Sequence, residues 1–212
     1  MAMMANKTSA KVMATNVIQK HRPSMETGFH AVLGNYVVHS HSVYVNVLNC
    51  SYEGPKILSD LFPESSFIPY VPPGRSLSLK VHQHAHAPIF FLGNHGLIVH
   101  EKNLQQVISL HERVNNRIRE ELELPIFNTK RQQVLERRFI NENILFPDQV
   151  IYTDPKGNFE QSIVQREILS AYSYIYCQIT RLGLTAKTLD ECDALFLLSM
   201  DAEKHRSRVQ IK

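Results

Sequence analysis

The stretch PIFFLGNHGLIVHEKNLQQVISLHERVNNRIREEL, from Pro88 to Leu122, limits the fold more than any other. Its first part reads as one buried strand interrupted at Gly93-Asn94-His95-Gly96. Two glycines this close to a histidine predict a bulge or a bend. Its second part is the clearest helix of the chain. Asn103 stands where it can cap that helix, and Leu104, Val107, Ile108, His111, Val114 and Ile118 recur at helical spacing.

The elements around this stretch do not alternate strictly between strand and helix. METGFHAVL (Met25 to Leu33) predicts a short helix with Phe29, Val32 and Leu33 on one face and Glu26 in the first turn. NYVVHSHSVYVNVLN (Asn35 to Asn49) predicts a strand through Val37, Val38 and His39 that turns helical beyond Ser42. Tyr52 to Ser66 reads as a loop with one helical turn. Phe67 to Ser76 reads as extended, because Pro69, Pro72 and Pro73 exclude regular helix. SLSLKVHQHAHA predicts a helix from near Ser76. After Pro125 come a basic helix (Asn128 to Ile144), a short strand (Gln149 to Thr153) and a turn at Asp154 to Gly157. A long helix ending at Gly183 and a closing helix from Leu189 complete the chain. Such an order predicts an antiparallel or mixed sheet layered with helices. Residues 1–122 are expected to form the core domain and residues 123–212 a mostly helical extension packed on it.

Histidine is the compositional oddity, with 11 among 212 residues. On a strand, residues i and i+2 share a face, so His39 and His41 point the same way. Strand-borne His-x-His pairs hold zinc in this manner, and a catalytic site adds a third ligand while keeping one position open. His95, where glycines interrupt a strand, is the best third candidate. His82, His84 and His86 in KVHQHAHAP form a rival cluster. On a helix, histidines two apart splay around the axis and cannot all face one ion.

Other bulk features exclude several classes. Hydrophobic residues make up 43% and charged residues 20%, as in an ordinary soluble globular protein. A net charge of +3, scattered along the chain, argues against nucleic acid as a partner. No window reaches the roughly 18 to 20 apolar residues of a membrane span. The start is interrupted by Asn6, Lys7, Lys11 and Asn16, unlike a signal peptide. Cys50, Cys177 and Cys192 lack CxxC spacing and predict a reducing, cytoplasmic setting.

Three blocks together resemble the class II aldolase/adducin family: RPSMETGFHAVL, YVVHSHSVYVNVL and FFLGNHGLIVHEKNLQQVISLHERV. They run from Arg22 to Val114, about half of the chain. The resemblance implies a three-layer α/β/α sandwich around a mainly antiparallel sheet, and a divalent metal held by three histidines at the positions of His39, His41 and His95. Zinc is the first choice, with manganese, cobalt or nickel as substitutes. It also implies that Glu26, the glutamate of a Ser-x-Glu block, shuttles protons and approaches the metal when no substrate is bound. Similar enzymes cleave fuculose and rhamnulose phosphates as homotetramers. The implied function is therefore a metal-dependent lyase of carbohydrate metabolism. It would make or break a carbon–carbon bond beside a chelated carbonyl in a small sugar or hydroxy-carbonyl compound. Ser24, Asn94 and Gly96 are the candidate substrate contacts.

The chain also departs from the family pattern. Only 23 residues precede Ser24, and they lack the glycine turns that hold a substrate phosphate in the family. The alternative is thus a degenerate metal-binding protein, or a non-catalytic adducin-like assembly protein without the phosphate site. Adducin-type domains tend to lose the histidines, and this chain has all three.

Overall fold

The apolar run after Pro88 folds as two strands of a hairpin, not as one interrupted strand. In the computed structural model, which describes residues 24–34, 36–131, 137–152 and 162–201, it forms β3 (Ile89–Leu92) and β4 (Gly96–Glu101). Leu92 pairs with Gly96 across the turn. The His95 amide donates to the Leu92 carbonyl at 3.1 Å, which closes it. Asn94 takes the left-handed conformation, φ 54°, that asparagine tolerates better than most residues. The chain therefore reverses here, where a bulge or a bend within one strand was expected.

Two further strands, β1 (Tyr36–Ser40) and β2 (Ser66–Ile68), complete a sheet of order β1-β4-β3-β2. β4 runs antiparallel to both β1 and β3, whereas β2 pairs with β3 in parallel. The chain is thus α/β with a mixed sheet. Around it lie α1 (Thr27–Val32), α2 (Val43–Asn49), α3 (Gly54–Leu61), α4 (Arg75–Gln83), α5 (Leu104–Glu121), α6 (Arg137–Glu142), α7 (Pro147–Tyr152), α8 (Ile163–Arg181) and α9 (Glu191–Ser199). A 3₁₀ turn spans Thr129–Arg131.

β3 and the first four residues of β4 owe their apolar run to burial on both faces. Ile89, Phe91, Leu97 and Val99 enter one core with Val45 of α2, Val107 of α5 and Ile175 of α8. Their neighbours Phe90, Leu92 and Ile98 enter a second core with Phe29 of α1 and with Leu77 and Val81 of α4. The first core also takes Leu145, Phe146, Tyr172 and Tyr174, so residues on both sides of position 122 share it.

Several local expectations need correction. Tyr52 to Ser66 holds the eight-residue helix α3, because Pro55 sits in its first turn, where a missing amide costs no helical hydrogen bond. Gln149 to Thr153 is not a strand. Residues 147–152 form α7, opened by Pro147 with Asp148 in its first turn. Gln149 fixes that helix by accepting from the Leu145 amide (2.8 Å) and donating to the Ile140 carbonyl (2.7 Å). These tertiary bonds override the strand preference of Val150, Ile151 and Tyr152. On α5 the buried stripe is Val107, Leu110, Val114 and Ile118, while Leu104 and Ile108 are exposed. Asn103 caps α5 through the Gln106 amide at 2.9 Å, and Gly183, with φ 67°, follows the end of α8. The turn expected at residues 154–157 lies outside the described residues.

Candidate metal centre

Four side chains meet at one end of the sheet. His39 lies in β1 and His41 just beyond its end, before Ser42 caps α2 by accepting from the Val45 amide. His95 stands at the tip of the β3–β4 turn, and Glu26 directly precedes α1. The three imidazole rings are mutually 4.9–5.1 Å apart between centroids and steeply inclined to one another. His39 Nε2 and His41 Nε2 are 3.2 Å apart. Glu26 Oε1 is 3.4 Å from His39 Nε2 and 3.2 Å from His95 Nε2. One nitrogen from each histidine and one oxygen from Glu26 all lie within 4.8 Å of one another.

Hydrogen bonds behind the rings aim these atoms. His39 Nδ1 donates to the Leu97 carbonyl at 3.0 Å, and His41 Nδ1 donates to Asp148 Oδ2 at 2.6 Å. A carbonyl or carboxylate oxygen can only accept, so both rings carry their proton on Nδ1 and, when neutral, turn an Nε2 lone pair toward the centre. Two lone pairs facing each other repel unless a cation lies between them. This donor set, three imidazole nitrogens and one carboxylate oxygen, is chemically suited to a divalent transition metal.

The backbone around His95 is held just as firmly. Asn46 Nδ2 donates to the His95 carbonyl at 3.1 Å, and Asn49 Nδ2 to the Gly96 carbonyl at 2.8 Å. Asn94 Nδ2 donates to the carbonyls of Leu145 (2.9 Å) and Lys187 (2.6 Å). Asn94 therefore ties the turn to the C-terminal half of the chain, and its amide nitrogen is already engaged. A side chain at Gly96 would run into the Ser40 carbonyl and the His41 ring, so glycine lets β4 approach the histidine strand. Ser24 is exposed, and its hydroxyl accepts from the Glu26 amide at 3.2 Å, which shapes the turn presenting Glu26.

Charge is tightly managed at the cluster. Burial alone would raise the Glu26 carboxyl, but hydrogen bonds and charge from His39 and His95 outweigh it and hold the group well below the usual carboxylate range. His95 is pushed down to about 4, chiefly by burial, against the opposing pull of Glu26. Both shifts run toward the forms in which these groups bind metal, a carboxylate and a neutral imidazole.

The sequence of the N-terminal half matches the class II aldolase and adducin N-terminal domain over residues 2–122. The chain belongs to this family. Comparison with curated proteins finds no match. Class II aldolases generally use a divalent metal, and the only group of metal-competent side chains among the described residues is Glu26, His39, His41 and His95. The rival histidines form no such group. His82 sits in the last turn of α4, His84 is its C-cap, and the His84 and His86 rings are 6.4 Å apart.

Asp148 was not anticipated. It lies outside the matched span, and its segment reads as a strand with no chemistry. It comes 107 positions after the histidine it contacts, and no local motif signals so distant a partner. A cavity of about 580 Å³ opens from Glu26, His41 and Asp148 toward α8. Tyr152 lines it as well.

Proposed function

We propose that this chain is a metal-dependent lyase of the aldolase type, acting on a small compound in which a carbonyl stands beside a hydroxyl. The convergence of Glu26 with His39, His41 and His95 carries this reading. His39, His41 and His95 would hold a divalent cation, zinc before manganese, cobalt or nickel, with Glu26 at its edge. Such a cation supplies Lewis-acid polarisation of a carbonyl oxygen.

The remaining work falls to the protein's own groups. Glu26 is only 18% exposed in its side chain, so a proton it takes up is shielded from bulk water. In the bond-forming direction it takes the proton from the carbon beside the carbonyl. In cleavage the carbon–carbon bond breaks and its electron pair stays on that carbon. The other fragment gives its hydroxyl proton to the Glu26 carboxylate and leaves as an aldehyde, and Glu26 passes that proton to the carbon. Leu97 and Asp148 hold two rings in the orientation this requires. Asn94, Gly96 and Ser24 support the reading by holding the turn, admitting β4 and presenting Glu26. Residues 123–212 complete the site as an extension of the domain in residues 1–122. The family is often oligomeric, and a homotetramer in the cytoplasm is part of the same proposal.

Glu26→Gln tests the role of the carboxylate. The variant keeps the shape and loses the base. Retro-aldol cleavage, or proton exchange beside the carbonyl, is expected to fall at least about a hundredfold with metal content unchanged. Cleavage at the wild-type rate would remove Glu26 from the chemistry, and loss of the metal would make it a ligand.

A further inference from the structure

The cavity beside the cluster has a character of its own. On α8, Val164, Ile168, Ala171 and Ile175 follow one another at spacings of four, three and four, which puts them on one helical face, and all four line the cavity. Phe127 and Val43 continue the apolar wall. Among the described residues, the ionisable lining groups besides His41 and Tyr152 are the carboxyls of Glu26, Asp148 and Glu167. The volume of about 580 Å³ falls within the range of small-molecule sites.

Phosphate recognition relies on guanidinium or ammonium groups, or on converging backbone amides. The carboxylates of Asp148 and Glu167, outside the metal-competent group, disfavour a dianion, and the wall of Val164, Ile168, Ala171 and Ile175 offers a sugar's hydroxyls no partner. A hydrocarbon or aromatic substituent gains from the same wall, at roughly 25 cal/mol for each Å² removed from water. We infer that the substrate is an uncharged hydroxy-ketone whose apolar substituent lies along the Val164–Ile175 face of α8, and not a phosphorylated sugar. This inference rests on the lyase reading and assigns its substrate class. The carbonyl end faces Glu26 and His41, and the apolar end faces α8.

Two ligands that cannot undergo aldol cleavage separate the classes. 1,3-Dihydroxy-4-phenylbutan-2-one carries the neutral head and an aromatic tail, and dihydroxyacetone phosphate carries the same head and a dianion. Each is titrated calorimetrically into the zinc-loaded full chain. The aryl ketone is expected to bind at least tenfold more tightly. Ala171→Phe, which fills the cavity from its wall, should weaken the aryl ketone at least tenfold. Glu167→Lys, at an exposed helix position, should improve the phosphate relative to the aryl ketone. Equal or tighter binding of the phosphate by the wild-type chain overturns the inference, and so does failure of both ligands to bind. Unchanged aryl affinity in a folded Ala171→Phe protein overturns it as well. Metal content is read on the same samples. A chain that takes up no zinc defeats the parent reading, whereas a zinc-loaded chain that prefers phosphate defeats the substrate class alone.

Discussion

At the level of single residues, the cluster depends on what stands behind each imidazole. His39 is aimed by a backbone carbonyl and is fixed as firmly as the sheet itself. His41 is aimed by a side chain, Asp148, from a different part of the chain. A carboxylate behind a ligating imidazole sets the tautomer and raises its basicity, and removing such a group commonly costs about 10- to 100-fold in metal affinity. Asp148→Asn keeps an acceptor oxygen but removes the charge, and Asp148→Ala removes both. Chelator competition should show weaker metal binding in the order wild type, Asn, Ala, reaching about 10- to 100-fold in Ala, while the metal-free proteins melt alike. Equal affinity in all three would mean that Asp148 has no part in holding His41.

At the level of elements, the site is made where β1 and the β3–β4 hairpin come together, and Gly96 permits that approach. Gly96→Ala forces its new methyl against the Ser40 carbonyl, so β4 must shift and carry His95 with it. Overpacking of this kind costs about 1–3 kcal/mol. The variant should unfold at lower denaturant concentration and bind metal more weakly, and a wild-type urea midpoint would count against the role given to Gly96. The pairing of His39 with His41 was legible because a strand repeats every two residues, and α5 was legible because its periodicity is long. The hairpin was read as a bulged strand because its reversal turns on the backbone of Asn94, which no apolar pattern encodes. α3 was hidden by Pro55, which ordinarily signals a break. α7 was hidden by a β-branched run whose helical form depends on Gln149 reaching Leu145 and Ile140. Asp148, the one residue of the site lying on α7, was lost with it.

At the level of the whole molecule, the apolar face of Ala171 to Leu184 is used internally. Tyr172, Tyr174, Ile175 and Ile179 are buried in the core shared with α2 and α5. Exposed apolar surface lies instead on α9, where Leu195 is 59% and Phe196 50% exposed. Light scattering at micromolar concentration should report a mass above that of one 24.4 kDa chain, and Phe196→Glu should lower it. A monomeric wild type would remove the oligomer from the account. Among the described residues, no helix is long and apolar enough to cross a membrane. The cluster joins the segments before α1, at the end of β1 and at the hairpin tip, so a metal there would link three separate stretches of chain. Its occupancy is therefore the claim on which the rest depends. The most direct test is the metal content of the wild-type protein and His95→Ala, measured by mass spectrometry after loading with zinc and desalting. The account requires about one ion per wild-type chain and a loss of stoichiometric binding in His95→Ala, because the two remaining imidazoles leave an ion largely hydrated. Full zinc in His95→Ala would contradict it.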